Sequence, residues 1–324
     1  MDVLSDVLRA VRLTGALYFD MNARAPWIAE TPPMASICSK VMPDFEHVIC
    51  FHMMLDGEGW AQLADESEPP IKVVSGDAVL FPGGDPHYMA SELGKRSTPY
   101  LPMFYRPTDR ALPFVMREFG GDGQSARFVC GYLGSDARPF NPIVTALPRM
   151  LHVRGSTVSG RLTGDLIRVA LRETEAPTAG GETILSKLSE LMFLQAVRQH
   201  IDSLPSESTG WLAGLRDPSV GVALRLMHGQ PAQAWTLESL AREVGMSRSV
   251  FTDRFTRIMG VPAMQYLGNW RLQLAARLLE RQRLSIARAA AEVGYESEAA
   301  FNRAFKKQVG VPPGAWRRAR GTHP

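Results

Sequence analysis

The feature that most constrains this chain is a unit used twice near its C-terminus. Residues 241–245, AREVG, recur as AAEVG at 290–294, an offset of 49. After one additional residue, Phe251, Phe255, Gly260, Val261 and Pro262 recur as Phe301, Phe305, Gly310, Val311 and Pro312, an offset of 50. Each copy reads as helix, glycine turn, helix. In the second copy Ile286, Ala289, Ala290 and Val293 give an apolar face, Gly294 permits a tight turn, and a new helix starts near Ser297. Phe301 and Phe305 lie one turn apart and are expected to plug a small core, which leaves Ala299, Arg303 and Lys306 on the opposite side with Asn302 at its margin. Small, amide and guanidinium side chains on an exposed face suit a helix that reads the major groove, because Arg bonds a guanine edge and Asn an adenine edge.

Charge supports the same reading. Residues 221–324 contain 16 Lys and Arg against 7 Asp and Glu, a net +9, although the whole chain carries only +3. The first 220 residues are therefore acidic, at −6. A basic surface attracts phosphate backbones and releases their counterions, so the C-terminal part is the one expected to meet double-stranded DNA. In the first copy the corresponding helix offers Arg248, Ser249, Thr252 and Asp253, with Asp253 in the place that Arg303 takes in the second. Between the copies PAMQYLGNWRLQLAARLLE predicts one helix of about 18 residues, roughly 27 Å long. That length suits two reading helices set about one DNA turn apart, near 34 Å. Arg271, Arg277, Arg317 and Arg318 are expected to touch phosphate or solvent rather than bases.

Residues 15–160 read differently. Runs such as HVICFHMML, IKVV and AVLF are separated by DGEG, DESEPP, SGD and PGGDP, a pattern of short strands joined by tight turns. Without helical crossovers this favours an antiparallel β-barrel or sandwich. The fold class expected is α+β and multidomain: an N-terminal antiparallel β-barrel with helices, then an all-α domain of two helix-turn-helix units joined by a long helix. The expected boundaries are 1–181 for a sensor domain, 182–219 for a helical linker and 220–324 for the DNA-binding domain. Ile184, Leu185, Leu188, Leu191, Met192, Gln195 and Ala196 recur at helical intervals, a stripe that either packs on the barrel or pairs with its twin in a homodimer. No apolar run is long enough to cross a membrane. The N-terminus lacks a basic leader, and three scattered cysteines, Cys38, Cys50 and Cys130, fit a reducing compartment, so a cytoplasmic location is expected.

The last hundred residues, with their terminal AAAEVGYESEAAFNRAFKKQVGVPPGAWRR, resemble the DNA-binding domain of the AraC/XylS-type transcription regulators. That resemblance implies a sequence-specific regulator, an activator more often than a repressor, that contacts RNA polymerase. It places the base-reading positions on Arg248, Ser249, Thr252 and Asp253 in the first unit, and on Glu298, Ala299, Asn302 and Arg303 in the second. In GDAVLFPGGDPHYMAS, Gly76, Pro82, Gly84 and His87 follow the second cupin motif, with Ser91 in place of its asparagine. With PW at 26–27, FHMMLDGEGWAQL, CGYLG and ALPRMLHV, the N-terminal part resembles the cupin-type sensor domain of one branch of these regulators, which implies a small-molecule effector near His52, Glu58 and His87.

By that resemblance His52, Met54, Glu58 and His87 stand where a metal-binding cupin has its ligands. Met54 is a poor ligand for a hard ion, and Cys130 is the first soft substitute, ahead of Cys50 and His47, so that His52, His87 and Cys130 would suit Zn²⁺. The competing reading makes His52 and His87 packed barrel residues beside the effector pocket. A redox sensor working through the cysteines, a cupin metalloenzyme and a basic adaptor for an acidic protein are the other classes weighed. The DNA-binding tail and Met54 count against the enzyme.

Overall fold

The strand β3 (His47–Asp56) organises the N-terminal half, because seven of its ten residues in succession are buried, as expected of a central strand covered on both faces. The computed structural model describes residues 2–11, 13–99, 114–136, 139–156, 158–176, 178–281 and 284–320. In chain order α1 (Val3–Ala10), β1 (Thr14–Arg24), β2 (Ile28–Thr31) and α2 (Met34–Val41) precede β3. After it come β4 (Glu58–Leu63), β5 (Ile71–Val74), β6 (Ala78–Phe81), β7 (His87–Ala90), β8 (Phe114–Gly120), β9 (Ser125–Ser135), α3 (Pro142–Ala146) and β10 (Leu151–Val153). The helices α4 (Val158–Glu175) and α5 (Gly181–Ser203) follow. The strands form two sheets, one of order β10-β6-β3-β9-β1-β8 and one of order β2-β7-β4-β5. Met21, Cys50, Met54 and Phe128 from the first sheet share one core with Leu63, Val73 and Met89 from the second.

The expected closed antiparallel barrel is not what forms. Both sheets are open, and β8 pairs with β1 in parallel, from Phe19↔Phe114 to Arg24↔Gly120. The edges explain why. β2 and β5 have four residues each and β10 three, and Pro69 and Pro70 lead into β5 while Pro33 follows β2. Short edges interrupted by residues without an N–H donor cannot carry a continuous ladder around a barrel. Turn signals in the sequence mark where the chain bends and are silent about which edges meet. The result is an α+β unit built as two facing sheets.

The remaining helices are α6 (Trp211–Arg216), α7 (Pro218–Gly229), α8 (Leu237–Glu243), α9 (Arg248–Met259), α10 (Ala263–Arg281), α11 (Ile286–Glu292), α12 (Glu298–Val309) and α13 (Pro313–Arg320). Their starts follow side-chain caps: Asp217, Ser247, Ser285 and Ser297 each accept a backbone N–H from the first turn, and Thr236 and Ser239 form a capping box. The chain divides into two units. One holds Arg12–Asp136 and Leu147–Ser203, and the other gathers Met1–Val11, Ala137–Ala146 and Leu204–Pro324. The helical unit therefore includes α1 and α3, which no local pattern announces. Buried Gln273 on α10 ties these segments together: its Nε2–H donates to the Ala10 carbonyl at 3.1 Å and its Oε1 accepts from the Phe140 N–H at 2.9 Å.

His228 is the second tie. Its ring stacks on Trp270 at 4.0 Å, and its Nε2 accepts from the Tyr266 hydroxyl at 2.8 Å, while that oxygen accepts from Trp211 Nε1–H. Nδ1 then carries the proton and faces Asp6 Oδ2 of α1 at 3.9 Å, too far for a hydrogen bond. Burial holds His228 neutral, with its pKa pushed down from 6.5 to about 3. Between those values the unfolded chain binds a proton that the folded chain does not, so stability is present at neutral pH and falls as pH drops from 6.5 toward 3. Melting of the helical unit, followed by fluorescence, is expected to show this loss. H228Q should lower the midpoint at neutral pH and flatten the slope.

Candidate nucleic-acid interface and histidine–cysteine cluster

The two helix-turn-helix units share a skeleton. Phe251 and Phe255 on α9, and Phe301 and Phe305 on α12, are fully buried with ring centroids 5.7 and 5.5 Å apart. Gly260 and Gly310 end these helices in the left-handed conformation, at φ 71° and 88°. Burying one face exposes the other. Arg248, Ser249 and Asp253 are exposed and Thr252 half-buried on α9; Glu298, Ala299, Arg303 and Lys306 are exposed and Asn302 half-buried on α12. The expected reading positions thus fall on the face opposite each phenylalanine pair.

Their surroundings differ. Arg248 pairs with Glu238 of α8 at 2.9 Å, and the Thr252 hydroxyl donates to the Arg248 carbonyl at 2.8 Å. Arg303 and Lys306 have no ion-pair or hydrogen-bond partner among the described residues. Other basic groups are tied down. Arg271 donates to the carbonyls of Pro231 and Gln233, Arg317 to that of Leu284, and Arg254 forks onto Asp217 at 2.7 and 3.2 Å, bracing the cap of α7. Burial opposes ionisation of Asp217, but the fork from Arg254 and the N–H groups of Val220 and Ser219 together hold its carboxyl below the ordinary range. Arg254 is absent from the sequence-based candidates, because its partner Asp217 lies 37 residues away and no local pattern links the two.

In the β unit, the pleat of β3 sends Cys50, His52 and Met54 to one side, into the space between the sheets. His52 pairs in register with Cys130 on β9, and His87 opens β7 in the facing sheet. The His52 Nδ1 lies 2.8 Å from Cys130 Sγ, its Nε2 lies 2.8 Å from His87 Nε2, and Cys50 Sγ is 3.6 Å from that same His52 Nε2. His87 is held flat against Phe81, centroids 3.5 Å apart, and its Nδ1–H donates to the Asp85 carbonyl at 2.7 Å. That acceptor fixes the tautomer. His87 Nε2 bears a lone pair, so His52 Nε2–H donates to it and His52 Nδ1 accepts from the Cys130 thiol.

Burial pushes the His52 pKa well below 6.5, with His87 adding to the effect, and lowers His87 to about 4. It also pushes both thiols up, so Cys50 and Cys130 are thiols at neutral pH. Reactive redox cysteines have the opposite character. Cys50, His52 and His87 offer three donor atoms within 4.8 Å of one another and form a candidate Cys/His metal-binding cluster.

The other expected participants lie elsewhere. The Glu58 carboxylate is half exposed and paired with Lys72 at 2.9 Å. His47 donates to the Pro82 carbonyl at 2.6 Å, and Met54 is a buried core residue. The three-donor group contains Cys50, ranked behind Cys130 from the sequence, whereas Cys130 Sγ lies against the other ring nitrogen of His52. Beside the cluster, His52 and Cys130 border a cavity of ≈ 450 Å³ whose apolar wall includes Phe19, Met21, Met116 and Phe119.

Comparison with known proteins agrees with both halves. A family profile described as "Cupin" matches residues 2–202, more than half of the chain, and one described as "Helix-turn-helix domain" matches residues 240–319. An AraC-like transcription regulator of Streptomyces lividans is 29% identical over 322 residues, 98% of each chain. The regulator AlkR of Acinetobacter baylyi is 28% identical over 98% of this chain and 99% of its own. The RCS-specific activator RclR of Escherichia coli is 32% identical over 60% of this chain and 69% of its own. The chain belongs to the cupin family and is an AraC/XylS-type helix-turn-helix transcription regulator with an N-terminal cupin-like domain. It is a sequence-specific DNA-binding protein rather than an enzyme. No helix among the described residues is long and apolar enough to cross a membrane.

The two glycine turns make unequal demands on this interface. Gly245 has φ +69° with open space around it, whereas a Cβ on Gly294, at φ +83°, would lie 2.6 Å from the Ala232 carbonyl oxygen and 2.7 Å from its Cα. Gly245→Ala is expected to cost about 1–2 kcal/mol of backbone strain. Gly294→Ala adds a packing clash of about 1–3 kcal/mol. Chemical denaturation of the two variants, with equal or reversed losses, would count against this assignment.

Proposed function

We propose that the exposed faces of α9 and α12 read two successive major-groove segments, with Arg303 and Asn302 carrying most of the base discrimination and Lys306 meeting phosphate. The single observation behind this reading is the pair of matched helices whose phenylalanines are buried and whose Arg303 and Lys306 remain unpartnered among the described residues. α10, 19 residues and about 28 Å long, has the length for such spacing. The first unit, with Ser249 and with Arg248 engaged by Glu238, contributes less to readout.

The effector in this proposal is a predominantly apolar small molecule in the cavity bordered by His52 and Cys130. Its binding alters DNA affinity or contact with RNA polymerase, and the similarity to RclR, an activator, favours activation. The protein works in the cytoplasm, where its DNA is. Dimerisation rests on α4 and α5. Leu185, Met192, Phe193 and Ala196 of α5 are buried, whereas Leu162 and Val169 of α4 and Ile184 and Leu191 of α5 are exposed apolar residues suited to a second copy. The buried side of α5 rests on β1 at Gly15, where a Cβ would come within 2.5 Å of Ser189 Cβ.

Selection of bound duplexes from a random library by the full-length protein, at fixed salt, is expected to yield two short elements about ten base pairs apart. A library without enrichment, with and without candidate effectors, would refute the readout assignment. Arg303→Ala should lose about 1–3 kcal/mol of discrimination at one position. Lys306→Ala should weaken all sequences alike and reduce the salt slope by about one counterion. Leu191→Glu should shift a dimer toward monomer in sedimentation; an unchanged mass would place the interface elsewhere.

A further inference from the structure

We propose that Cys50 Sγ, His52 Nε2 and His87 Nε2 bind a thiophilic divalent cation of the zinc class, with Cys130 as a partner of the ligand His52 rather than a ligand itself. The donor set differs from the carboxylate-containing one that cupin resemblance implies, since Glu58 is on the surface with Lys72 and Met54 is buried in the core. All three donor residues are almost wholly buried, at 1%, 2% and 0% exposure. Sulfur and imidazole nitrogen are the donors zinc takes.

The spacing fits. A tetrahedral zinc, about 2.3 Å from sulfur and about 2.0 Å from nitrogen, sets those atoms about 3.5 Å apart. Cys50 Sγ and His52 Nε2 are separated by 3.6 Å. The two ring nitrogens, 2.8 Å apart as hydrogen-bond partners, need to part by about half an ångström to reach the roughly 3.3 Å of a shared ion. His87 already has the outer acceptor that a metal-bound histidine uses, and His52 gains one when its hydrogen bond with Cys130 reverses. His87 Nδ1–H donates to the Asp85 carbonyl, and His52 Nδ1 faces Cys130 Sγ. Three protein ligands leave a four-coordinate ion one exchangeable position.

Protons and charge balance as follows. Without the ion, protons sit on Cys50 Sγ, on His52 Nε2, on His87 Nδ1 and on Cys130 Sγ. On binding, the Cys50 proton leaves to solvent and the thiolate joins the metal. The His52 proton moves from Nε2 to Nδ1, freeing Nε2 to coordinate, and Nδ1–H then donates to Cys130 Sγ, whose own S–H turns away. One proton is released per ion, and the hydrogen-bond direction between β3 and β9 reverses.

Full-length protein stripped with a chelator and titrated with Co²⁺, a spectroscopic stand-in for Zn²⁺, is expected to bind one ion per chain. A thiolate-to-cobalt charge-transfer band and the intense visible bands of a four-coordinate ion should appear, both bleached by Zn²⁺. C50S should lose the charge-transfer band while keeping its circular dichroism, and C130S should keep the band. H52Q and H87Q should weaken uptake by more than the roughly 10–100-fold that loss of an outer partner costs. The wild-type protein, in weakly buffered indicator solution, should release about one proton per ion, a readout that needs no variant to fold. Absence of stoichiometric uptake, no proton release, a band that survives C50S, or uptake undiminished in the H52Q/H87Q double variant would each overturn the proposal; the last would mean adventitious binding elsewhere. DNA selection is read separately, so loss of metal binding leaves the base-reading proposal standing, and the converse.

Discussion

The β unit depends on the pleat of one strand. β3 is covered on both faces, so every second residue must suit the space between two sheets, and a shift of one position would turn the whole set around. That constraint places Cys50, His52 and Met54 together and fixes His52 opposite Cys130 through the β3–β9 register. It also makes the cluster costly to leave unsatisfied, because a buried imidazole needs partners for both nitrogens. The Asp85 carbonyl, an acceptor that cannot change roles, sets the direction of hydrogen bonding along the chain from Cys130 to His87.

The helical unit separates stability from recognition more cleanly. Both copies keep the residues that hold a helix-turn-helix together: serine caps ahead of α9, α11 and α12, the phenylalanine pairs, and terminal glycines at positive φ. What differs between copies is on the exposed face. Arg254 belongs to the first group despite its charge, since its fork onto Asp217 braces the start of α7. A count of basic residues does not distinguish it from Arg303.

Much of this was legible from the chain because helical signals are local. Caps, glycine turns and the spacing of Phe251 and Phe255, or Phe301 and Phe305, lie within a few residues of the structure they specify. The β unit was less legible, for the opposite reason. The parallel β1–β8 pair joins residues 19–24 to residues 114–120, and the open edges depend on strands that fail to meet, which no nearby residue encodes. The same limit hid Gln273 and His228, whose partners in α1 and around Phe140 are more than a hundred residues away or across the core of the helical unit. Motif spacing drew His52, Glu58 and His87 together; the structure has His52 and His87 in contact and Glu58 on the surface with Lys72. Cys50, ranked behind Cys130 from the sequence, shares a face of β3 with His52 because the pleat sends alternate residues to the same side.

The two copies of the repeat are alike in frame and unlike in what they present. One offers Arg248, Ser249, Thr252 and Asp253, the other Glu298, Ala299, Asn302 and Arg303. Under the proposed readout the two ends of a binding site meet different side chains and are not interchangeable. The chain then has a front and a back as a reader, because its two exposed faces differ. On that reading an operator for this protein would carry an arrow, defined by the direction of the site as much as by its sequence.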